Sequence, residues 1–91
     1  MNQALGTVET KSLVGAVAAA DAMVKAADVH ILKVDYVGSG IVAVIVEGEV
    51  AAVKAAVECG KEAAVPIAEI IASHVIPRPN DELEKLLSLE G

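Results

Sequence analysis

A core built from this chain has to be made of alanine and valine. Hydrophobic residues are 55% of its 91 residues, yet Phe and Trp are absent and Tyr36 is the single aromatic. Burial is worth ~0.8 kcal/mol per methylene, so each Ala standing where a Leu could stand forfeits roughly 2 kcal/mol. Ninety-one residues suit one compact domain, and a small domain of short side chains is marginal alone. Association supplies the missing burial, so oligomerisation is expected on physical grounds. The single domain spans 1–91, with a core at about 4–79 and a C-terminal helix and tail over 80–91.

The formal charge of −6 argues against nucleic acid, which demands clustered Lys and Arg. Tyr36 alone cannot make a stacking platform for single strands. The same charge disfavours anionic membrane surfaces. The longest uninterrupted apolar stretch, Leu13 to Ala20, is eight residues long, far short of the ~20 that span a bilayer. Met1-Asn2-Gln3 lacks the pattern of a signal peptide, and one cysteine, Cys59, cannot close an intrachain disulfide. A reduced, cytoplasmic setting is the expectation.

Six elements follow in order. Ala4 to Thr10 alternates weakly as a strand, with Gly6 inside it marking close approach of another backbone. Ser12 is placed to cap a helix running to about Ala27, with Leu13, Val17, Ala20 and Val24 on one face. Asp21 and Lys25 are spaced for an i,i+4 pair. Val29 to Val37 reads as a strand whose Leu32, Val34 and Tyr36 face one way, with Lys33 and Asp35 facing the other. Gly38-Ser39-Gly40 then turns the chain into Ile41 to Val46. That strand is apolar on both faces, so both are expected to be covered.

Gly48 and Glu49 open a second helix with Val50, Val53, Val57, Gly60 and Ala64 along one side. Gly60 costs about 1 kcal/mol relative to Ala in a helix, which points to tight packing there. Pro66 ends the helix, and Ile67 to Ile76 contains the fourth strand. Asn80 caps a short acidic helix, Asp81 to Leu87, striped by Leu83, Leu86 and Leu87. The fold class is α+β, a ferredoxin-like β-α-β-β-α-β pattern with a short C-terminal helix. This fold hosts many unrelated functions.

No group of residues makes a convincing reactive centre. His30 and His74 belong to no metal-ligand spacing, so no metal and no cofactor is expected. Cys59 lies in an Ala-rich helix with no adjacent histidine. The thirteen carboxylates scatter over helix faces and ends without an apolar enclosure to split a pair of pKa values. No catalytic residue is assigned, and the chain reads as a non-enzyme.

Two backbone devices stand out instead. Gly38-Ser39-Gly40 reads as a hairpin turn or as a presented loop, its glycines permitting unusual φ and Ser39 offering a hydroxyl and an amide. Arg78, the single arginine, sits between Pro77 and Pro79 on a backbone stiffened toward extended conformations. It reads as a surface ion-pair partner or an intersubunit contact.

Taken in order, Ala4-Leu5-Gly6, Val8-Glu9-Thr10, Ala20 to Ala27, Gly38-Ser39-Gly40, Val53-Lys54-Ala55-Ala56 and His74 to Pro79 resemble the small single-domain shell proteins of bacterial microcompartments. The set covers almost the whole chain without large gaps. The resemblance implies a cyclic homohexamer that tiles a polyhedral shell beside other hexamers and other shell proteins, around encapsulated enzymes. It implies that Gly38, Ser39 and Gly40 line a central pore, and that Lys25, Asp28 and Arg78 lie at the hexamer edge. Asp28 replaces a residue that the family often has uncharged, Glu47 one that is commonly basic, and Asn80 a frequent histidine.

The function expected from this likeness is a structural shell tile whose pore passes small polar metabolites. The alternative is a ferredoxin-like regulatory module that binds a small molecule between subunits. An acylphosphatase-like enzyme needs a phosphate cradle of arginine and asparagine, which the position of Arg78 does not suit.

Overall fold

Alternation from Gln3 onward makes the first strand, β1 (Gln3–Thr10), in which every second residue is buried. Thr10 closes the strand by donating its hydroxyl to the Ser12 carbonyl at 2.6 Å. The Ser12 side chain then accepts from the Gly15 amide at 3.2 Å, capping α1 (Leu13–Ala26) as expected. The chain continues through β2 (Val29–Gly38), β3 (Ile41–Gly48), α2 (Val50–Ala64) and β4 (Ile70–Arg78). This computed structural model describes residues 3–78. The helix expected over Asp81 to Leu87, together with Pro79 and Asn80, lies outside the described residues.

The four strands form one antiparallel sheet in the order β2-β3-β1-β4. β1 and β2 are therefore parallel, with β3 between them. Both helices cover one face: a Cβ on Gly6 would meet Val53 and Val57 of α2, and a Cβ on Gly15 of α1 would meet the Thr10 side chain on the same face of β1. The core between the layers is Ala4, Val8, Val42, Val44 and Val46 from the sheet, with Ala16, Ala19, Met23, Val53, Ala56, Val57 and Ala64 from the helices. Among the described residues, no element covers the opposite face.

Three expectations about faces change. The face of α1 that is buried is Gly15, Ala16, Ala19 and Met23, while Leu13, Val17 and Val24 are exposed. The reason is spacing between the helices. A Cβ on Gly60 would lie 2.7 Å from Met23 Cγ and 3.3 Å from the Ala19 carbonyl oxygen, so the helices approach closely there and α1 meets α2 through alanines and the unbranched, adaptable Met23. Gly6 makes room for side chains rather than for another backbone: a Cβ there would sit 2.6 Å from Val53 Cγ1 and 2.7 Å from Val57 Cγ2. On β2, a register shift between Ile31 and Lys33 takes Leu32 out of the alternation. Val34 and Tyr36 remain on the helix side of the sheet opposite Val44 and Val42, joined there by Ile31 opposite Val46.

Branched valines have few rotamers with which to retreat, so Gly6→Ala is expected to cost about 2–3 kcal/mol by overpacking. Urea unfolding read by circular dichroism checks this, the midpoint falling while the slope stays unchanged.

Candidate functional site

The turn joining β2 to β3 is a two-residue hairpin loop. Its central residues are Ser39 with φ 57 and Gly40 with φ 80, preceded by Gly38 with φ 119. Positive φ at both central positions is the type I′ pattern, whose twist matches the flanking strands. Gly40 fits this at no steric cost. Ser39 does not, since the left-handed conformation costs an L-residue roughly 1–2 kcal/mol. A serine retained at the tip of a glycine turn therefore puts a hydroxyl on a protruding corner at some cost in stability. Nothing lies within 4 Å of a Cβ placed on Gly38, and Gly38, Ser39 and Gly40 are all exposed.

Lys25 and Asp28 lie toward the other end of the sheet. α1 starts beyond Thr10, on the side of the turn, and runs back so that Lys25 falls in its last turn. Lys25 Nζ meets Asp21 Oδ2 at 3.0 Å, the expected i,i+4 pair, and both side chains are exposed. Asp28 follows the helix and lines a cavity of about 320 Å³ with Gln3, His30, Gly48, Glu49 and Ala52. Arg78 ends β4 opposite Gln3 in the ladder, and so belongs to the same end. The eight residues of β3 separate this end from the turn by ~25 Å at about 3.3 Å per residue. The structure thus gathers Lys25, Asp28 and Arg78 toward one end and sets Gly38-Ser39-Gly40 at the opposite one.

Among the described residues, no group of three His, Cys, Asp or Glu could hold a metal ion. His30 Nε2 meets Glu47 Oε1 at 3.1 Å across the β2–β3 ladder, which uses both groups in a cross-strand pair. His74 lines a cleft of about 220 Å³ between β4 and α2, beside Ser73, Val75, Lys54, Val57 and Glu58. Cys59 is partly buried and free.

Sequence reasoning missed where the unspent apolar surface lies. Edge strand β2 exposes Ile31, Leu32, Val34, Tyr36 at 69% and Val37. Helix α1 adds Leu13, Val14 at 66% and Val17, while Ile71 and Ile76 are exposed on the other edge strand, β4. A long apolar edge strand is a template for pairing with another chain. The clue was the sheer amount of Val and Ile, which two small helices cannot cover.

Comparison with known proteins agrees with the likeness drawn from the motifs. The family model described as the BMC domain matches residues 4–79. The chain belongs to the family of bacterial microcompartment shell proteins. The chain is 54% identical over 85 residues to the bacterial microcompartment shell protein PduA of Citrobacter freundii, covering 93% of this chain and 91% of the relative. It is 46% identical over 87 residues to the shell protein EutM of Salmonella typhimurium, covering 96% and 91%. A carboxysome shell protein of Hydrogenovibrio crunogenus is 47% identical over 88 residues, covering 96% and 92%. Among solved structures, a microcompartments protein from Desulfitobacterium hafniense DCB superimposes with a TM-score of 0.76 at 35% identity. That match covers 85% of this chain and spans 43% of the other. These relatives are structural shell proteins, not enzymes, and shell membership places the chain in the wall of a bacterial microcompartment.

At the turn, Gly40→Ala is expected to cost about 1–2 kcal/mol through backbone strain alone, with little steric contribution because Lys11 Cγ at 4.0 Å is the one neighbour. Thermal unfolding of the variant beside Gly38→Ala, which is strained in the same way, checks that the loss comes from φ and not from packing.

Proposed function

We propose that this chain forms cyclic homohexamers that tile a bacterial microcompartment shell, with a central pore for small polar metabolites. Six copies of Gly38-Ser39-Gly40 converge on the rotation axis, and Lys25, Asp28 and Arg78 lie on the perimeter, facing adjoining hexamers and other shell proteins. In this reading each subunit is a ferredoxin-like wedge, and the enclosed enzymes are partners on one face of the wall.

One observation carries the proposal: the strained serine turn and the basic, acidic and arginine positions stand at opposite ends of one sheet. A closed ring needs such polarity, because one end of each subunit must meet the axis and the other must meet the neighbouring tile. The exposed apolar residues of β2 and α1 supply lateral surface for closure. A ring of six Ser39 hydroxyls and glycine-exposed backbone groups is uncharged and polar. It partly replaces the water stripped from a hydrogen-bonding solute and gives nothing to an apolar one. The sensor-module alternative draws no support from the relatives, which are shell proteins.

Ser39→Leu is expected to slow entry of small polar solutes such as glycerol into closed shells by several-fold, read by stopped-flow light scattering. Unchanged entry would remove the turn from the pore. Lys25→Ala is expected to leave soluble hexamers but to abolish extended sheets under the electron microscope. Wild-type sheets from this variant would remove Lys25 from the edge.

A further inference from the structure

His30 and Glu47 are direct neighbours across the β2–β3 ladder, and His30 Nε2 lies 3.1 Å from Glu47 Oε1. The pair stands at the end of the sheet that carries Lys25, Asp28 and Arg78. His30 also lines the cavity of about 320 Å³ there, with Asp28, Glu49, Gln3, Gly48 and Ala52. The surroundings of the imidazole are acidic from three directions. β3 brings Glu47, the link between α1 and β2 brings Asp28, and the start of α2 brings Glu49. β1 brings the neutral Gln3, and Arg78 ends β4 opposite it. The nearby cations are already engaged, Lys25 with Asp21 and Lys33 with Asp35. The His30 side chain is 65% exposed, so it exchanges protons with solvent and confronts whatever meets this end of the sheet.

We propose that His30 makes edge-to-edge tiling pH-dependent, its protonation favouring contact between hexamers. The inference rests on the perimeter reading above, which sets this end of each subunit against an adjoining tile. Two identical tiles lying in one layer with the same face up meet across a two-fold axis. Their contact is isologous, the same patch on both sides. Asp28, Glu47 and Glu49 of one edge are thereby brought toward the same three residues of the next. Like charges gathered in this way repel, most strongly at low salt. Histidine is the side chain that changes charge between about pH 5 and 8. A protonated His30 on each side offsets one carboxylate in each set, so tiling takes up protons, and a process that binds protons strengthens as pH falls. The contribution is present where the imidazole is charged and lost as it deprotonates. The other histidine, His74, lies mid-strand in β4 beside Lys54 and Glu58, away from this edge, and serves as the control.

The test measures the critical concentration for sheet formation by purified hexamers, using light scattering with electron microscopy. It runs at low ionic strength from about pH 7.5 to about pH 6, an interval in which histidine changes charge. Wild type is expected to form sheets at a several-fold lower concentration at the acid end, and His74→Gln to behave in the same way. His30→Gln is expected to lose the response and to tile throughout as wild type does at the alkaline end. His30→Lys, charged at every pH in the interval, is expected to tile throughout as wild type does at the acid end. Near 1 M salt, where the Debye length is about 3 Å, the wild-type response should flatten. A full pH response in His30→Gln overturns the switch. Equal behaviour of His30→Gln and His30→Lys shows a merely structural role and also overturns it. A flat wild-type response, where Lys25→Ala still abolishes sheets, overturns the switch and leaves the perimeter reading standing. Wild-type sheets from Lys25→Ala defeat the perimeter reading, and the switch with it.

Discussion

Contact between the helices and the sheet at glycine and alanine distances is what the rest of this molecule depends on. Gly60 lets Met23 seat between α1 and α2, and Gly6 lets Val53 and Val57 descend onto the sheet. Close packing recovers dispersion contacts that bulky side chains would otherwise supply. The consequence is an inverted distribution along α1, where alanines are buried and valines are left outside. The apolar surface a monomer of this kind cannot hide is available for assembly.

The same constraint separates assembly surfaces from the turn. Edge strands β2 and β4 retain exposed Ile, Leu and Val, which flank the sheet on both sides. The polar devices sit at the two ends of the strands. In the proposed ring, apolar flanks close laterally and polar tips present short loops at hub and rim; the family itself contains carboxysome and other microcompartment shell proteins.

Much of the fold was legible in the sequence. The order of six elements, the Ser12 cap, the Asp21–Lys25 pair and the packing side of α2 follow from local rules: capping, helical spacing and turn residues. The face of α1 was not legible. Hydrophobic periodicity favours the larger residues, and Leu13, Val17 and Val24 share a stripe that looks like a core face. The narrow gap set by Gly60 reverses the choice, and that gap is a tertiary fact. Leu32 misled for a related reason, because a register shift within β2 is invisible to simple alternation. At the candidate site, the positive φ values at Gly38 and Gly40 followed from glycine. The proximity of Lys11 to Gly40 depends on how β1 hands over to α1 beside the β2–β3 hairpin, which spacing along the chain does not reveal.

The most direct test of the account is the mass of the purified protein in solution, by light scattering on a sizing column or by native mass spectrometry. Unspent apolar flanks predict an assembly and not a monomer, and the proposed hexamer predicts a mass six times the 9.2 kDa of one chain, held across a wide range of concentration. A single 9.2 kDa species that persists at high concentration would contradict it.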